Sequence, residues 1–292
     1  MRSYHISELE QLSGIKAHTI RVWERRYNLI EPDRTETNIR MYDDNQVRKL
    51  LNVSTLLANG YKISKIASLN NDDIAKKINE IQSGKETTDV IATSYINDFA
   101  ASMIDFDEPA FEKTFSAVVT RYGMFDGMLR VFYPLMQKIG FMWVIGESMP
   151  VQEHFASVII RKKLIAAIDG QLPPVKKNKK FLLMLPPNEW HEIGLLFSEY
   201  ILRSKGIPTL YLGANVPYEN IRSVFSKTKI THLLTFLIAR RTEEDLSLLR
   251  KNLGIPSDVE LLVAGNPEMT QLLHKHKNTK ILHSPVELLD FI

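Results

Sequence analysis

The chain has 292 residues, 44% of them apolar and 24% charged, with a formal net charge of +3. That length allows two or three domains with a sizeable core. The charge is too small for a general affinity for nucleic acid, so any such contact must come from locally placed Lys and Arg. With no cysteine in the chain, disulfides, thiolate zinc sites and a cysteine nucleophile are excluded, and a reducing cytoplasm is the expected compartment. No run approaches the ~20 apolar residues of a membrane span, and no signal-peptide core is expected at the start.

In chain order, Ser7 with Glu10 three residues on reads as a capping box that opens a helix. Gly14 makes a turn, and Lys16 to Tyr27 reads as a second short helix. Helix, tight turn, helix is the pattern in which the second helix enters the major groove. His18, Arg21 and Arg25 share one side of that helix at helical spacing, with Ile20 and Tyr27 able to face inward. Thr19, Trp23 and Arg26 complete the candidate DNA-binding set on it. Arg21 and Arg25 are expected in the groove. After Pro32, a polar stretch bounded by Arg34 and Arg40 suits a β-hairpin wing whose arginines, with Tyr42, meet phosphates. Asp43 caps a third helix through Val47, Leu50, Leu51 and Leu57, and a short fourth follows Gly60-Tyr61. From Lys16 to Lys49 basic residues exceed acidic ones only by eight to six, so charge alone leaves open a small helical domain with a solvated face.

Asn71–Asp89, with Ser83-Gly84 inside it, reads as a linker or a short helix followed by a break. Val90 to Ile168 is helical in pattern: a run to about Met103, Asp107–Tyr122, Asp126–Trp143 and Pro150–Ile168. Four such helices with short connections predict a bundle. Taken alone, Trp143 is a half-buried core residue and Glu153 an acid favoured at a helix N-terminus.

"QLPPVKKNKK" is a linker, and then strands and helices alternate. Five apolar strands ("FLLMLP", "TLYLG", "THLLTFLIA", "VELLVAG", "KILHS") alternating with five helices predict a doubly wound parallel sheet. Ligands of such sheets sit beyond the strand C-termini, where the loop carrying His191 falls. The fold class expected is therefore multidomain, α and α/β: a winged helix-turn-helix over 1–75, a four-helix bundle over 88–170, and a five-stranded Rossmann-like (flavodoxin-like) domain over 178–292. A surface loop histidine is the plain reading of His191.

The residues "TIRVWERRY", "PDRT" and "RMY" resemble the N-terminal domain of MerR-type transcription regulators, over about seventy residues. Trp23 and the Arg26-Tyr27 ending are similar to the light- and cobalamin-responsive subgroup. The metal-sensor subgroup carries effector cysteines, and here there are none. Trp143, followed at the subgroup's spacing by Glu153-His154, resembles the motif that caps the upper face of adenosylcobalamin in the photoreceptor repressors of this class. Glu189-x-His191-x-x-Gly194 resembles the cobalamin-binding motif in which a His replaces the cofactor's own base on cobalt. The family's remaining parts, Ser-x-Leu and Gly-Gly, are matched in spacing by Thr235-Phe-Leu237 and Ala264-Gly265, each one residue off.

The resemblance implies a DNA-binding regulator, a repressor, with His191 as ligand to the cobalt of cobalamin. It implies adenosylcobalamin as the form sensed and an oligomer, dimer or tetramer, on an operator duplex. In light-sensing members a His directly follows the capping Trp; here Val144 stands there. Two alternatives remain. A corrinoid methyl carrier shares bundle and sheet but has no use for a helix-turn-helix. A regulator that has lost its cofactor is kept open by Ala264, whose methyl enters where the nucleotide tail packs. No phosphate-binding Gly loop, nucleophile triad or spaced acidic cluster is read in the sequence, so no enzyme activity is expected.

Overall fold

The computed structural model describes residues 3–83, 88–144, 150–175, 178–273 and 278–292. The chain divides into two compact units, Met1–Ile159 and Ile160–Ile292. Among the described residues no helix is long and apolar enough to cross a membrane.

The first unit opens with α1 (Ile6–Ser13), α2 (Ala17–Tyr27), the hairpin β1 (Asp33–Arg34) and β2 (Arg40–Met41), α3 (Asp44–Ala58) and α4 (Ile63–Ile66). The start of α1 differs from expectation. The N-cap is His5, whose backbone N–H donates to Glu8 at 2.5 Å. Glu10 faces the next helix instead: it accepts from the Ala17 N–H at 2.8 Å and from Lys16 Nζ at 2.9 Å. One acid thereby satisfies an orphan donor at the start of α2, across the turn that Gly14 makes at φ 72°. Asp43 caps α3 as its sequence predicts, accepting from the Gln46 N–H at 2.8 Å.

Helices α5 (Asn71–Ser83), α6 (Thr88–Asp105), α7 (Glu108–Gly127), α8 (Tyr133–Val144) and α9 (Pro150–Asp169) follow. The expected break between Tyr122 and Asp126 is a kink inside one helical run. Gly123 takes φ 73° and ψ 172°, a conformation open to glycine. A π-helical turn at Met128–Phe132 then leads into α8. Phenylalanines fill the bundle core: Phe99 packs on Phe111 (4.6 Å) and Phe132 (5.4 Å), and Phe115 stacks on Phe132 at 4.6 Å.

The second unit is built on β3 (Phe181–Met184), β4 (Thr209–Gly213), β5 (His232–Leu237), β6 (Glu260–Gly265) and β7 (Thr279–Leu282), all parallel in the order β4-β3-β5-β6-β7. The helices between them are α10 (Ile193–Ser204), α11 (Tyr218–Lys227), α12 (Glu243–Ser247), α13 (Leu249–Asn252) and α14 (Pro267–Thr270). The later connections are shorter than expected. α12 and α13 are single turns, α14 passes into a 3₁₀ turn at Gln271–Leu273, and Pro285–Phe291 is 3₁₀. Segments this short gain too few bonds to offset α-helix nucleation. The chain enters the sheet at β3, moves to the edge at β4 and returns to β5, which puts the switch point between β3 and β5.

Candidate cofactor site and nucleic-acid interface

On α2 the side chains of His18, Arg21, Arg25 and Arg26 are exposed, and Ile20 is fully buried. Thr19 is half-buried, its hydroxyl 3.2 Å from His18 Nε2. Trp23 is half-buried against the core that α1 and α3 share, so its indole serves packing. Arg34 is exposed on β1 and donates to Asn38 at 2.5 Å. Arg40, half-buried on β2, donates through Nε to Glu24 of α2 at 3.1 Å.

Tyr42 does not meet phosphate. It is 1% exposed, its hydroxyl donates to Glu24, and its backbone pairs with Tyr4 at 2.8 and 2.9 Å. Burial, with the Glu24 carboxylate beside it, pushes the phenol well above its ordinary range. Tyr42, two residues beyond Arg40, shares its face, and both side chains reach Glu24 of α2, a partner the sequence could not supply locally.

The loop after β3 carries Glu189 and His191 to the C-terminal edge of the sheet. The Glu189 carboxylate is fully buried. One oxygen accepts from the Ile238 N–H (2.7 Å) and the Ala239 N–H (2.8 Å), just after β5. The other lies 2.5 Å from His191 Nδ1 and accepts from the backbone N–H of Trp190 (3.1 Å) and His191 (3.3 Å). Burial alone would raise this carboxyl, but the His191 side chain and the amides of Ala239, Ile238 and His191 outweigh it and hold the group down at about 2. Glu189 thus spans the switch point and engages the imidazole through Nδ1. The His191 side chain is 56% exposed.

Residues outside the sequence motif complete the support. Asn215, at φ 53°, accepts from the Asn188 N–H at 2.8 Å, and its own N–H donates to the Glu189 carbonyl at 3.1 Å. Arg241 donates to the Pro187 carbonyl at 2.7 Å. Glu192 accepts from Arg161 Nε and from the Tyr211 hydroxyl, both at 2.7 Å. Asn215 alone had a local signal, as a residue tolerant of φ > 0 next to a strand end.

Gly194 starts α10 against β5: a Cβ there would lie 2.6 Å from Phe236 Cε1. Gly265 takes φ 130°, and a Cβ would lie 2.3 Å from the Leu237 carbonyl oxygen. Thr235 is fully buried on β5, and its hydroxyl has no hydrogen-bond partner among the described residues. A buried orphan hydroxyl costs free energy unless something meets it. Leu237 is fully buried and shares the Thr235 face of the sheet, packed with Leu233 and Val263. Ala264 pairs with Phe236, and Thr235 with Val263. By strand alternation the Ala264 methyl projects from the opposite face to the Thr235 hydroxyl, so it does not fill the space beside Thr235. An imidazole paired with a buried carboxylate, two glycines at close approach and an orphan hydroxyl suit a bound cobalamin.

In the first unit, Trp143 and Val144 end α8, and the Trp143 side chain lies outside the described residues. Glu153 lies in the first turn of α9 and His154 directly follows it, with His154 Nδ1 3.9 Å from Glu153 Oε2 and the imidazole 77% exposed.

Residues 4–72 match the MerR HTH family regulatory protein model, and residues 95–167 match the B12 binding domain model. The HTH-type transcriptional repressor CarH of Myxococcus xanthus is 26% identical over 268 residues, 90% of this chain and 89% of its own. The repressor CarA of the same organism is 26% identical over 263 residues, 89% of this chain and 85% of its own. The solved monomethylamine corrinoid protein of Methanosarcina barkeri has a similar fold, with a TM-score of 0.50 at 14% identity over 66% of this chain and 94% of its own. The chain thus joins a region that matches the MerR HTH family to one that matches the B12 binding domain, and its similarity to the repressors CarH and CarA along nine-tenths of its length supports a cobalamin-responsive DNA-binding regulator.

Proposed function

We propose that the protein is a repressor whose assembly and operator affinity follow bound adenosylcobalamin and, through it, light. The observation that carries the reading is the buried Glu189 carboxylate 2.5 Å from His191 Nδ1, in a chain that begins with a winged helix-turn-helix. A neutral imidazole whose far nitrogen is held by a carboxylate is a well-oriented, basic ligand. His191 would hold the cobalt through Nε2, with Thr235, Leu237 and Gly265 around the nucleotide tail, the Ala264 methyl on the opposite face of the sheet, and Gly194 letting α10 approach the tail. Trp143, Glu153 and His154 would serve the adenosyl group on the upper face. Adenosylcobalamin supplies a cobalt–carbon bond that visible light breaks. Val144 offers no imidazole beside Trp143, so a histidine from that position does not take part.

His18, Arg21, Arg25 and Arg26 of α2 and Arg34 and Arg40 of the wing would face double-stranded operator DNA. The working domains are 1–75, 88–170 and 178–292, in a cytoplasmic homodimer or homotetramer. Differential contact with the adenosyl group supplies the free energy that a ligand-driven switch requires. The test is size-exclusion chromatography and operator binding for the apoprotein and the adenosylcobalamin form, in darkness and after illumination. The expected result is a larger, tighter-binding species in the dark cofactor form that reverts on illumination. Identical elution and affinity in all conditions would overturn the reading.

A further inference from the structure

Between the start of α1, the recognition helix and the wing lies a notch of about 310 Å³ lined by His5, Ile6, Ser7, Arg21, Asn38, Ile39 and Arg40. Two of these residues are arginines, from different elements, and none is acidic. The nearest carboxylate engaged with them is Glu24, which sits behind Arg40 rather than in the notch. Glu24 is 9% exposed and accepts from Arg40 Nε at 3.1 Å and from the buried Tyr42 hydroxyl. A carboxylate on a face that meets DNA repels phosphate unless it is paired. Here it is paired on both sides, and its hold on Nε leaves the terminal Nη donors of Arg40 for another acceptor. Arginine recognises phosphate through that planar fork, and a fixed fork loses less freedom on binding than a mobile one.

We propose that this notch seats one backbone phosphate of the duplex, clamped between Arg21 and the Glu24-buttressed fork of Arg40. Arg21 is thereby assigned to the backbone and not to a base edge. His5 and Asn38 form the walls. Glu24 acts as a positioning residue: it aims the Arg40 guanidinium and ties the wing to the recognition helix at one point. Base reading then falls to the rest of the exposed α2 face, where His18 and Arg25 stand.

The test uses the full-length protein and a duplex obtained by selection on the wild type. Each phosphate neutralised on B-DNA contributes about 0.9 to the slope of log affinity against log salt. Arg21→Ala and Arg40→Ala should each lower that slope by about 0.9, and the double variant by no more, because both act on one phosphate. None should change the order of preference among single-base variants of the duplex. Arg40→Lys keeps the charge but not the fork, and should weaken binding. A methylphosphonate scan should find one position that weakens the wild type and has no further effect on Arg40→Ala. Arg21 is exposed on its helix, so its variant keeps the test valid if Arg40→Ala proves unstable. A double variant whose slope falls by twice as much, or an altered base preference in Arg21→Ala, overturns the shared phosphate. Wild-type affinity in Arg40→Lys overturns the role of Glu24.

Discussion

The side-chain amide of Asn97, on α6, donates to the Thr55 hydroxyl at 2.8 Å and the Leu51 carbonyl at 3.2 Å, both on α3. Asn97 is 3% exposed, and its carbonyl oxygen accepts from Lys138 Nζ of α8 at 3.3 Å. Ala100 and Ile104 of α6 lie in the same apolar cluster as Leu9, Ile20 and Leu50. The helices that follow the wing and the first bundle helices therefore share one core, and Asn97 is its polar pin. Asn97→Leu leaves Lys138 and Thr55 without this partner and should cost about 1–3 kcal/mol. Chemical denaturation should show a lowered midpoint, and an unchanged midpoint would contradict the pin.

Close packing at the two glycines predicts a graded effect. Gly194→Ala must displace the Phe236 ring, whose Cε1 lies 2.6 Å from the added carbon, and overpacking of this kind costs about 1–3 kcal/mol. Gly265→Ala meets backbone at 2.3 Å in addition to a φ of 130°, so nothing flexible can yield. Thermal unfolding should rank wild type above Gly194→Ala and Gly194→Ala above Gly265→Ala.

The wing anchor makes a third prediction. Tyr42→Phe removes the hydroxyl that donates to the buried Glu24, leaving that carboxylate with one fewer donor. The expected loss is about 1–3 kcal/mol, read as a lower denaturation midpoint, while an exposed control such as Arg26→Ala should leave the midpoint unchanged.

Much of this was legible in the sequence. Apolar runs bounded by turn residues set out the five strands, and Asp43 marked the start of α3. The Glu189–His191 spacing carried the centre of the site, because both residues lie on one short loop. What the sequence hid depends on long-range partners. Glu10 could be taken for the cap of its own helix because Ala17 lies across a turn. Tyr42 lies beside the wing arginines in sequence, while the Glu24 that takes its hydroxyl is on another element. Arg241 and Asn215 reach the His191 loop only when strands distant in sequence are set side by side.

Acid titration separates the Glu189 network from the rest. The carboxyl titrates at about 2 when folded, against 4.5 as its ordinary value. A depressed folded value means that its contribution is present above about 4.5 and is lost as pH falls towards 2. The difference in melting temperature between wild type and Glu189→Gln should be flat above that window and should shrink within it. A difference that holds constant down to pH 2 would mean that the buried carboxylate is not held ionised by these donors.

Cobalt ligation by His191 is the contact on which the proposed switch depends. Its most direct measurement is the absorption spectrum of the protein after dark incubation with adenosylcobalamin and removal of free cofactor, for wild type and His191→Ala. Wild type should retain cobalamin with the spectrum of an imidazole-ligated, base-off cofactor. The variant should retain little, with no imidazole ligation, and its apoprotein should stay folded with a lowered melting temperature, because the buried Glu189 carboxylate loses its His191 partner. Full retention with an unchanged spectrum in His191→Ala would contradict that ligation.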